Sequence, residues 1–306
     1  MRTPRGAPGL GIVRRMNEHE GPPAGQAETA EAMVRRKQAG LLTLLGVLGV
    51  AAVMPFAFAL QGDKLAEVIK RTGASLLGLA MVSCAQSSVF VLIAVFAGLA
   101  AARRVGLGAP VTLAVARGEP AWPVLRPLLG AAVVVGLASG GTTVLLDALV
   151  FNPRAPELRS LNEAALAHHS VWKAALACLY GGFTEEILVR LFILSAVALG
   201  LLHLGRVVRG GRQLPGGQLR VGALLLANVV AALLFGLLHL PATAALVKLT
   251  PLLLTRALVL NGVVGLACGF LYVRRGLESA MVAHLVADAV LHLIAPALAL
   301  AGALRL

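Results

Sequence analysis

Long runs of apolar residues, separated by short polar segments, dominate the hydropathy pattern of the chain. Seven runs are close to or above the roughly 20 residues that a helix needs to cross the hydrocarbon core of a bilayer. They cover residues 41–60, 74–102, 128–150, 172–202, 222–249, 253–273 and 277–303. The segments between them contain Gly, Pro or clustered charges, which are typical of loops. The pattern therefore predicts seven membrane-spanning helices, called spans one to seven.

The predicted fold is all-α, a polytopic transmembrane helical bundle of about seven spans that forms a single membrane domain. Residues 1–40 mix Pro, Gly, Glu and Arg without apolar periodicity, which predicts a basic, flexible tail that contains at most one short helix. Residues 41–150 are predicted to form the N-terminal transmembrane helices, and residues 170–295 the part that carries the candidate chemistry. Because the first apolar run begins only at Leu41, we expect no cleaved signal peptide.

The composition supports a membrane protein. The 306 residues are 58% hydrophobic and 13% charged, whereas a soluble protein carries about 25% charged residues. These values exclude a water-soluble enzyme and a disordered chain. Cys84, Cys178 and Cys268 lie in separate apolar runs and match no disulfide or metal spacing. The net charge of +13 does not indicate nucleic-acid binding, since the arginines lie between apolar runs.

The distribution of Lys and Arg predicts the orientation in the membrane. The N-terminal tail and the loops after spans two, four and six contain 17 of the 27 basic residues, and the opposite side contains nine. Because the more basic side faces the cytoplasm, the N-terminus is predicted to be cytoplasmic. The richness in Ala, Leu, Gly and Arg favours a bacterial chain, and hence the bacterial inner membrane. The remaining basic residue, Arg190, lies inside span four.

Ionisable side chains inside the apolar runs are the candidate functional residues, because each costs at least a few kcal/mol in hydrocarbon. Span four contains Glu185, Glu186 and Arg190. Glu186 and Arg190 are four residues apart on a helix, which predicts an ion pair. Glu185 points about 100° away from Glu186. We therefore expect Glu186 to be structural and Glu185 to be free for chemistry.

Two further spans contribute ionisable side chains. Span five contains His239, and span seven contains His284 and Asp288, with His292 one turn later. A single histidine such as His239 is more often a hydrogen-bonded packing residue than a catalytic one, and His292 is expected to be structural or peripheral. The co-occurrence of such residues on three apolar helices nevertheless predicts one functional cluster.

Helix rise presents a difficulty for this cluster. His284 lies nine residues after Arg275, about 13 Å of helix, and His239 lies nineteen residues after Arg220, about 28 Å. If both arginines mark the same membrane surface, the two histidines differ in depth by roughly 15 Å. We therefore expect span five to begin inside the cytoplasm, to tilt, or to bend at Pro241.

Three motifs on successive apolar helices together resemble those of the CPBP intramembrane proteases. They are Glu-Glu-x-x-x-Arg at 185–190, Phe-x-x-x-His at 235–239 and His-x-x-x-Asp at 284–288. This family contains the type II CAAX prenyl endopeptidases and bacterial bacteriocin-processing or immunity-type relatives. The resemblance covers residues 170–295 approximately. It departs from the family at Glu278, where relatives often have an aromatic residue.

The resemblance implies an intramembrane endopeptidase that acts on a membrane-associated peptide or protein in the lipid bilayer. The implied catalytic residues are Glu185, Glu186, Arg190, His239, His284 and Asp288. Glu185 corresponds to the family's water-activating base, and His239 would hold the water jointly with it. His284 and Asp288 would steady the tetrahedral intermediate or orient the water, and Arg190 would stabilise Glu186.

The need for a metal is left open by the residues. His239, His284 and Glu185 are of the types that bind zinc with an open position for water, and the family is commonly labelled metalloprotease. The motif is not His-Glu-x-x-His, however, and a metal-free glutamate mechanism is an alternative. We expect that no tightly bound metal is required.

Two other functions are also open. A proton-coupled transporter would use buried Glu, His and Asp as a proton relay, although no pair of corresponding broken helices indicates two repeated halves. A catalytically inactive CPBP-like scaffold or immunity protein would retain the fold without the chemistry. The presence of all three motifs favours the protease.

Overall fold

The computed structural model describes residues 24–158, 162–163, 166, 169–208 and 217–304. In this part of the chain the regular secondary structure is helical, without strands. Seven helices are long and apolar enough to cross a membrane: Glu28–Gly62, Leu76–Val105, Ala121–Arg154, Val171–Val208, Gln218–Leu246, Pro251–Arg275 and Leu277–Leu300. The predicted all-α bundle of seven spans is thus confirmed, and spans one to seven denote these ranges below.

Several spans combine more than one helical segment. The α-helices are Ala24–Thr72, Leu76–Val105, Pro110–Ala116, Ala121–Leu146, Val171–Leu179, Ser195–Val208, Gln218–Leu238, Leu240–Leu246, Pro251–Arg275, Leu277–Ala289 and Ala295–Leu300. Spans three, four and seven each include a wider π-helical segment, at Asp147–Phe151, Tyr180–Leu194 and Val290–Ile294 respectively. Two short 3-10 turns, Asn152–Arg154 and Pro156–Leu158, follow span three's π-helical segment.

The first helix begins earlier than the hydropathy pattern indicates. It starts at Ala24, so residues 24–40, predicted as tail, are helical, whereas residues 1–23 lie outside the described residues. Ala, Glu, Met, Arg and Lys are strong helix formers, and Glu31 pairs with Arg35 at 3.1 Å one turn later. Residues 24–40 thus belong to the first helix, although their polar residues form no apolar stripe.

Span four lies at the centre of the bundle. In the most apolar part of this span, 44% of the residues are buried by the rest of the chain, against 17% in span two. Many large apolar side chains point outward instead, such as Leu77, Val134 and Leu225, as expected where lipid surrounds the protein. The central span is also the one that carries three of the six candidate residues.

Small residues allow the spans to approach closely. An added Cβ at Gly98 in span two would lie 2.8 Å from the Leu191 carbonyl oxygen in span four. At Gly136 in span three it would lie 2.5 Å from the Ala283 carbonyl oxygen in span seven. Between membrane helices, van der Waals packing replaces the hydrophobic effect as the driving force for association, and small residues permit it. These two contacts fix the positions of spans two and three relative to spans four and seven.

A bidentate ion pair also joins spans three and six. Arg256 Nε donates to Asp147 Oδ1 at 2.7 Å, and Arg256 Nη2 donates to Asp147 Oδ2 at 2.6 Å. Both side chains are largely buried, with 26% and 17% exposed. A planar, bidentate pair of this kind is among the stronger charge-assisted contacts. It holds Asp147 of span three and Arg256 of span six at the same depth in the bundle.

Replacing Gly136 with alanine should destabilise the bundle by about 1–3 kcal/mol, because the methyl group would overlap the Ala283 carbonyl. Gly130→Ala is the matched control on the same helix, since nothing lies within 4 Å of its added Cβ. The control should leave stability unchanged or raise it by up to about 1 kcal/mol. Thermal unfolding in detergent measures both variants, and equal unfolding temperatures would contradict the close contact.

Candidate active site

The first motif lies in the π-helical segment Tyr180–Leu194 of span four. Wider π-helical turns are rare and occur often at functional sites. Gly181 lies at the start of this segment, and an added Cβ there would overlap Asp288 Oδ2 and lie 3.2 Å from His284 Nε2. The missing side chain at Gly181 therefore lets the third motif pack directly on the helix of the first.

Glu186 is the buried centre of the site. Its side chain is 0% exposed, and Oε1 lies 2.8 Å from Arg190 Nη1. The same oxygen accepts a hydrogen bond from His284 Nδ1 at 2.6 Å. The ion pair predicted from the four-residue spacing is present, and the imidazole from span seven completes it.

Arg190 is held by three elements. Besides pairing with Glu186, its Nη2 donates to the Gly265 carbonyl in span six at 3.1 Å. The guanidinium carbon lies 4.9 Å from the centre of the Phe235 ring in span five, within the range of a cation–π contact. The side chain is 1% exposed, so Arg190 connects spans four, five and six inside the bundle.

Glu185 has a different environment from its neighbour. Its side chain is 18% exposed, and its two oxygens lie 3.8 Å from His239 Nε2 and 3.7 Å from His284 Nε2. Both distances exceed those of direct hydrogen bonds. Within the described residues, Glu185 thus faces two imidazoles without a direct hydrogen bond to either one. This agrees with the prediction that Glu185 points away from Glu186 and its ion pair.

The two imidazoles are oriented through their other nitrogens. His239 Nδ1 donates to the Phe235 carbonyl at 2.8 Å, and His284 Nδ1 donates to Glu186. Because Nδ1 is engaged in each ring, Nε2 is the atom that faces Glu185. The Phe235 ring contacts both imidazoles edge to face, with centroids 4.7 and 5.7 Å apart.

Span five is interrupted directly after its first helix, at His239. The helix Gln218–Leu238 ends at His239, whose amide makes a 3.3 Å hydrogen bond to the Gly236 carbonyl. Pro241 follows at the start of the next helix and has no amide to continue the hydrogen-bond ladder. An interruption at Pro241 was one of the three expectations for this span, and both imidazoles lie within 3.8 Å of Glu185.

Asp288 lies at the edge of the cluster, and His292 lies away from it. Asp288 Oδ1 is 3.6 Å from His284 Nε2, with 11% of the side chain exposed. The His292 carbonyl lies 2.9 Å from His169 Nε2, and its ring contacts Phe56. His168, adjacent in sequence, lies outside the described residues. His292 is therefore peripheral, as expected.

The structure adds two residues that sequence analysis did not assign to the site. Phe235 was quoted as part of the second motif, yet it contacts three of the functional side chains. Cys268 in span six is fully buried beside Glu186 and His284. A single cysteine in an apolar run carries no sequence signal for such a role, because its position depends on how span six packs.

The donor set resembles a zinc site in part. His239 and His284 each have Nδ1 fixed by a carbonyl or carboxylate, the outer-shell arrangement typical of zinc-binding histidines. The three ligand atoms that lie within 4.8 Å of one another in the described chain, however, belong to Glu186, Cys268 and His284. Glu186 and His284 already hydrogen-bond to each other through Oε1 and Nδ1. The predicted set of Glu185, His239 and His284 has the residue types for zinc but a looser spacing.

Replacing Arg190 with methionine should destabilise the protein by about 3–5 kcal/mol, because Glu186 would lose its cationic partner in a dry interior. Arg206→Met is the matched control in the same span, since Arg206 is exposed, and it should change stability by about 0.5 kcal/mol or less. Thermal unfolding in detergent compares the two. Equal losses of stability in the two variants would show that the buried Glu186–Arg190 pair does not stabilise the fold more than an exposed arginine does.

Comparison with protein families gives one match. The family model described as type II CAAX prenyl endopeptidase Rce1-like matches residues 167–290, a range that contains all three motifs. Comparisons with curated proteins and with solved structures give no match. The family predicted from the motifs is therefore confirmed over residues 167–290, which match the type II CAAX prenyl endopeptidase Rce1-like model.

Proposed function

We propose that the protein is an intramembrane endopeptidase of the CPBP type, in which Glu185 activates a water molecule to hydrolyse a peptide bond. The observation that carries the proposal is the contrast between two adjacent carboxylates. Glu186 is fully buried and paired with Arg190, whereas Glu185 is partly exposed between two Nε2 atoms. The family match supports a protease of this class.

The first step is activation of water. His239 Nδ1 carries a proton because it donates to a carbonyl oxygen, which can only accept. In the neutral ring, His239 Nε2 is therefore an acceptor. A water bound between Nε2 and Glu185 donates one hydrogen to each, which directs an oxygen lone pair towards the substrate. A distance of 3.8 Å between the two acceptors suits a bridging water better than a direct bond.

The second step is attack on the peptide carbonyl. Glu185 takes one proton from the water, and the water oxygen forms a bond to the carbonyl carbon. His284, when both its nitrogens carry protons, donates Nδ1–H to Glu186 and presents Nε2–H to the developing oxyanion. One such donor typically contributes roughly 3 kcal/mol to transition-state stabilisation. Asp288, 3.6 Å from His284 Nε2, orients this ring.

The third step is release of the amine. Glu185 returns its proton to the nitrogen of the scissile bond, the carbon–nitrogen bond breaks, and an acid and an amine leave. The same carboxyl group serves first as the general base and then as the general acid. Glu186 and Arg190 do not touch the reacting atoms. They position His284, and Arg190 also contacts Phe235, which borders both imidazoles.

We propose that this mechanism requires no tightly bound metal. If zinc binds, His239 Nε2, His284 Nε2 and Glu185 would hold it, and it would supply an activated water. The looser spacing of these donors favours the metal-free alternative. The substrate is proposed to be a membrane-associated peptide or protein. The proposed location is the bacterial inner membrane, with a cytoplasmic N-terminus.

Glu185→Gln should reduce peptide cleavage at least a thousandfold and His239→Ala at least a hundredfold, because one removes the base and the other a water ligand. The controls are Glu67→Gln and His203→Ala, both at exposed positions, which should retain activity. The assay uses purified protein in detergent with fluorogenic peptides, prenylated and unprenylated. Cleavage that survives both site substitutions would refute the roles assigned to Glu185 and His239.

Chelation provides a separate test of the metal. Activity should persist after incubation with a strong chelator and dialysis, with less than about one-tenth of a zinc ion per chain by elemental analysis, where a structural or catalytic site would hold one. Loss of activity that added zinc restores would show that a metal is required. In that case, binding lost in His239→Ala but retained in Cys268→Ala would assign the ion to the predicted donor set.

A further inference from the structure

A second concentration of charge lies at one end of the bundle. There, spans one, two and six border a cavity of about 490 Å³. Five arginines and one glutamate line it: Arg35, Arg103, Arg117, Arg274, Arg275 and Glu31. None of these residues belongs to the candidate active site. Tyr272, four residues after Cys268, also lines the cavity, so the cavity begins about 6 Å along span six from the buried cluster.

The cavity has a preformed wall. The short helix Pro110–Ala116 and the loop before it are fixed by the Leu277 amide, which donates to the Gly108 carbonyl at 3.0 Å. The buried Glu278 carboxylate accepts from the Thr112 amide at 2.8 Å and from the Thr112 hydroxyl at 3.1 Å. Gln38 donates to the Ala109 carbonyl at 3.0 Å.

Gly276 places this wall against span seven. It has a positive φ of 97°, and an added Cβ would overlap Pro110. At the other side of the cavity, Arg220 donates to the Val105 and Gly106 carbonyls at 2.9 and 3.1 Å. The Val105 and Gly106 carbonyls at the end of span two are therefore already paired with a guanidinium group.

The positive charge of the cavity is largely unbalanced. Glu31 pairs with Arg35 at 3.1 Å. In the part of the chain that the structure describes, no carboxylate lies within 4.0 Å of the other four guanidinium groups. Arg103 is close enough to be repelled by Arg35, and Glu31 attracts it in part. An anion in the cavity would remove this repulsion, and a guanidinium fork matches the geometry of phosphate.

Membrane topology explains why arginines lie on this side but not why five of them line one cavity. The Arg275 guanidinium also donates to the Pro127 carbonyl at 3.2 Å, and that of Arg274 lies over the Phe270 ring. Arg35, Arg103 and Arg117 are therefore the best placed for an anion. Arg36 and Arg104 are adjacent to Arg35 and Arg103 on the same helices and equally exposed, yet they do not line the cavity. The cavity also has apolar walls, which include Leu99 on span two. A cationic pocket with apolar walls at the end of membrane helices fits an amphiphile better than a fully soluble anion.

We propose that this cavity binds the phosphate headgroup of an anionic phospholipid, with the arginines on the phosphate and the apolar walls along the glycerol and upper acyl chains. Basic pockets between transmembrane helices are suited to such headgroups. The site is separate from the proposed catalytic residues and does not depend on the proposed peptidase activity.

The test is lipid binding by the purified full-length protein, measured by native mass spectrometry during titration with phosphatidylglycerol. Arg35→Gln combined with Arg103→Gln should weaken binding roughly 30-fold, since each arginine near an anionic lipid contributes a factor of about five. The control pair Arg36→Gln with Arg104→Gln removes the same net charge from the same helices. It should change the affinity by about twofold or less.

A second cavity pair, Arg117→Gln with Arg274→Gln, gives an independent result if the first pair fails to fold, which thermal unfolding detects. Phosphatidylcholine and glycerol 3-phosphate are the comparison ligands, and both should bind more weakly than phosphatidylglycerol. Equal losses in cavity and control pairs would overturn the proposal, because the arginines would then act only through surface charge. Glycerol 3-phosphate binding as tightly as the lipid would overturn the assignment to a phospholipid.

Discussion

The buried carboxylate of Glu186 is the constraint on which the rest of the site depends. A charge removed from water is costly, and the cost is offset only when strong partners surround it with good geometry. Here Arg190 is contributed by the same span and His284 by span seven. Arg190 in turn needs the Gly265 carbonyl of span six. One carboxylate thus requires three spans to keep their depth and rotation relative to one another.

This requirement separates the functions of two adjacent residues. Glu186 uses the available cation, so Glu185 is left with imidazoles rather than a guanidinium group. Its carboxylate is partly accessible and makes no direct hydrogen bond within the described residues. A general base needs such an environment, because a carboxylate already engaged by Arg would be a poor proton acceptor. The structural pair and the proposed base are two consequences of the same arrangement.

Close helix packing makes the arrangement possible. Ionic contacts of this kind tolerate displacements of only a few tenths of an ångström, and membrane helices gain no hydrophobic stabilisation from contacting each other. Glycines allow close van der Waals packing between the helices instead. Gly181 admits Asp288 against span four, and Gly136 brings span three onto span seven. The proposed lipid site lies at the ends of other spans, one, two and six, whose arginines border it.

The pattern of apolar runs and charges predicted much of this protein. Runs of about 20 apolar residues are expected to be helices in a bilayer, because a helix pairs all the backbone N–H and C=O groups of a single segment with one another. All seven spans were predicted in this way. The spacing of Glu186 and Arg190 was sufficient to predict their pairing, because both residues lie on one helix. The start of the first helix was not predicted, since residues 24–40 are helical without being apolar.

The convergence of the spans was decided by the tertiary structure alone. Helix rise suggested that His239 and His284 lie at different depths, yet both imidazoles lie within 3.8 Å of Glu185. The position of Cys268 beside Glu186 and His284, and the five arginines around one cavity, also depend on how separate helices pack. Sequence determines which residues share a helix and which face they occupy. The relative depth, tilt and rotation of separate helices depend on packing contacts between them, which no local pattern records.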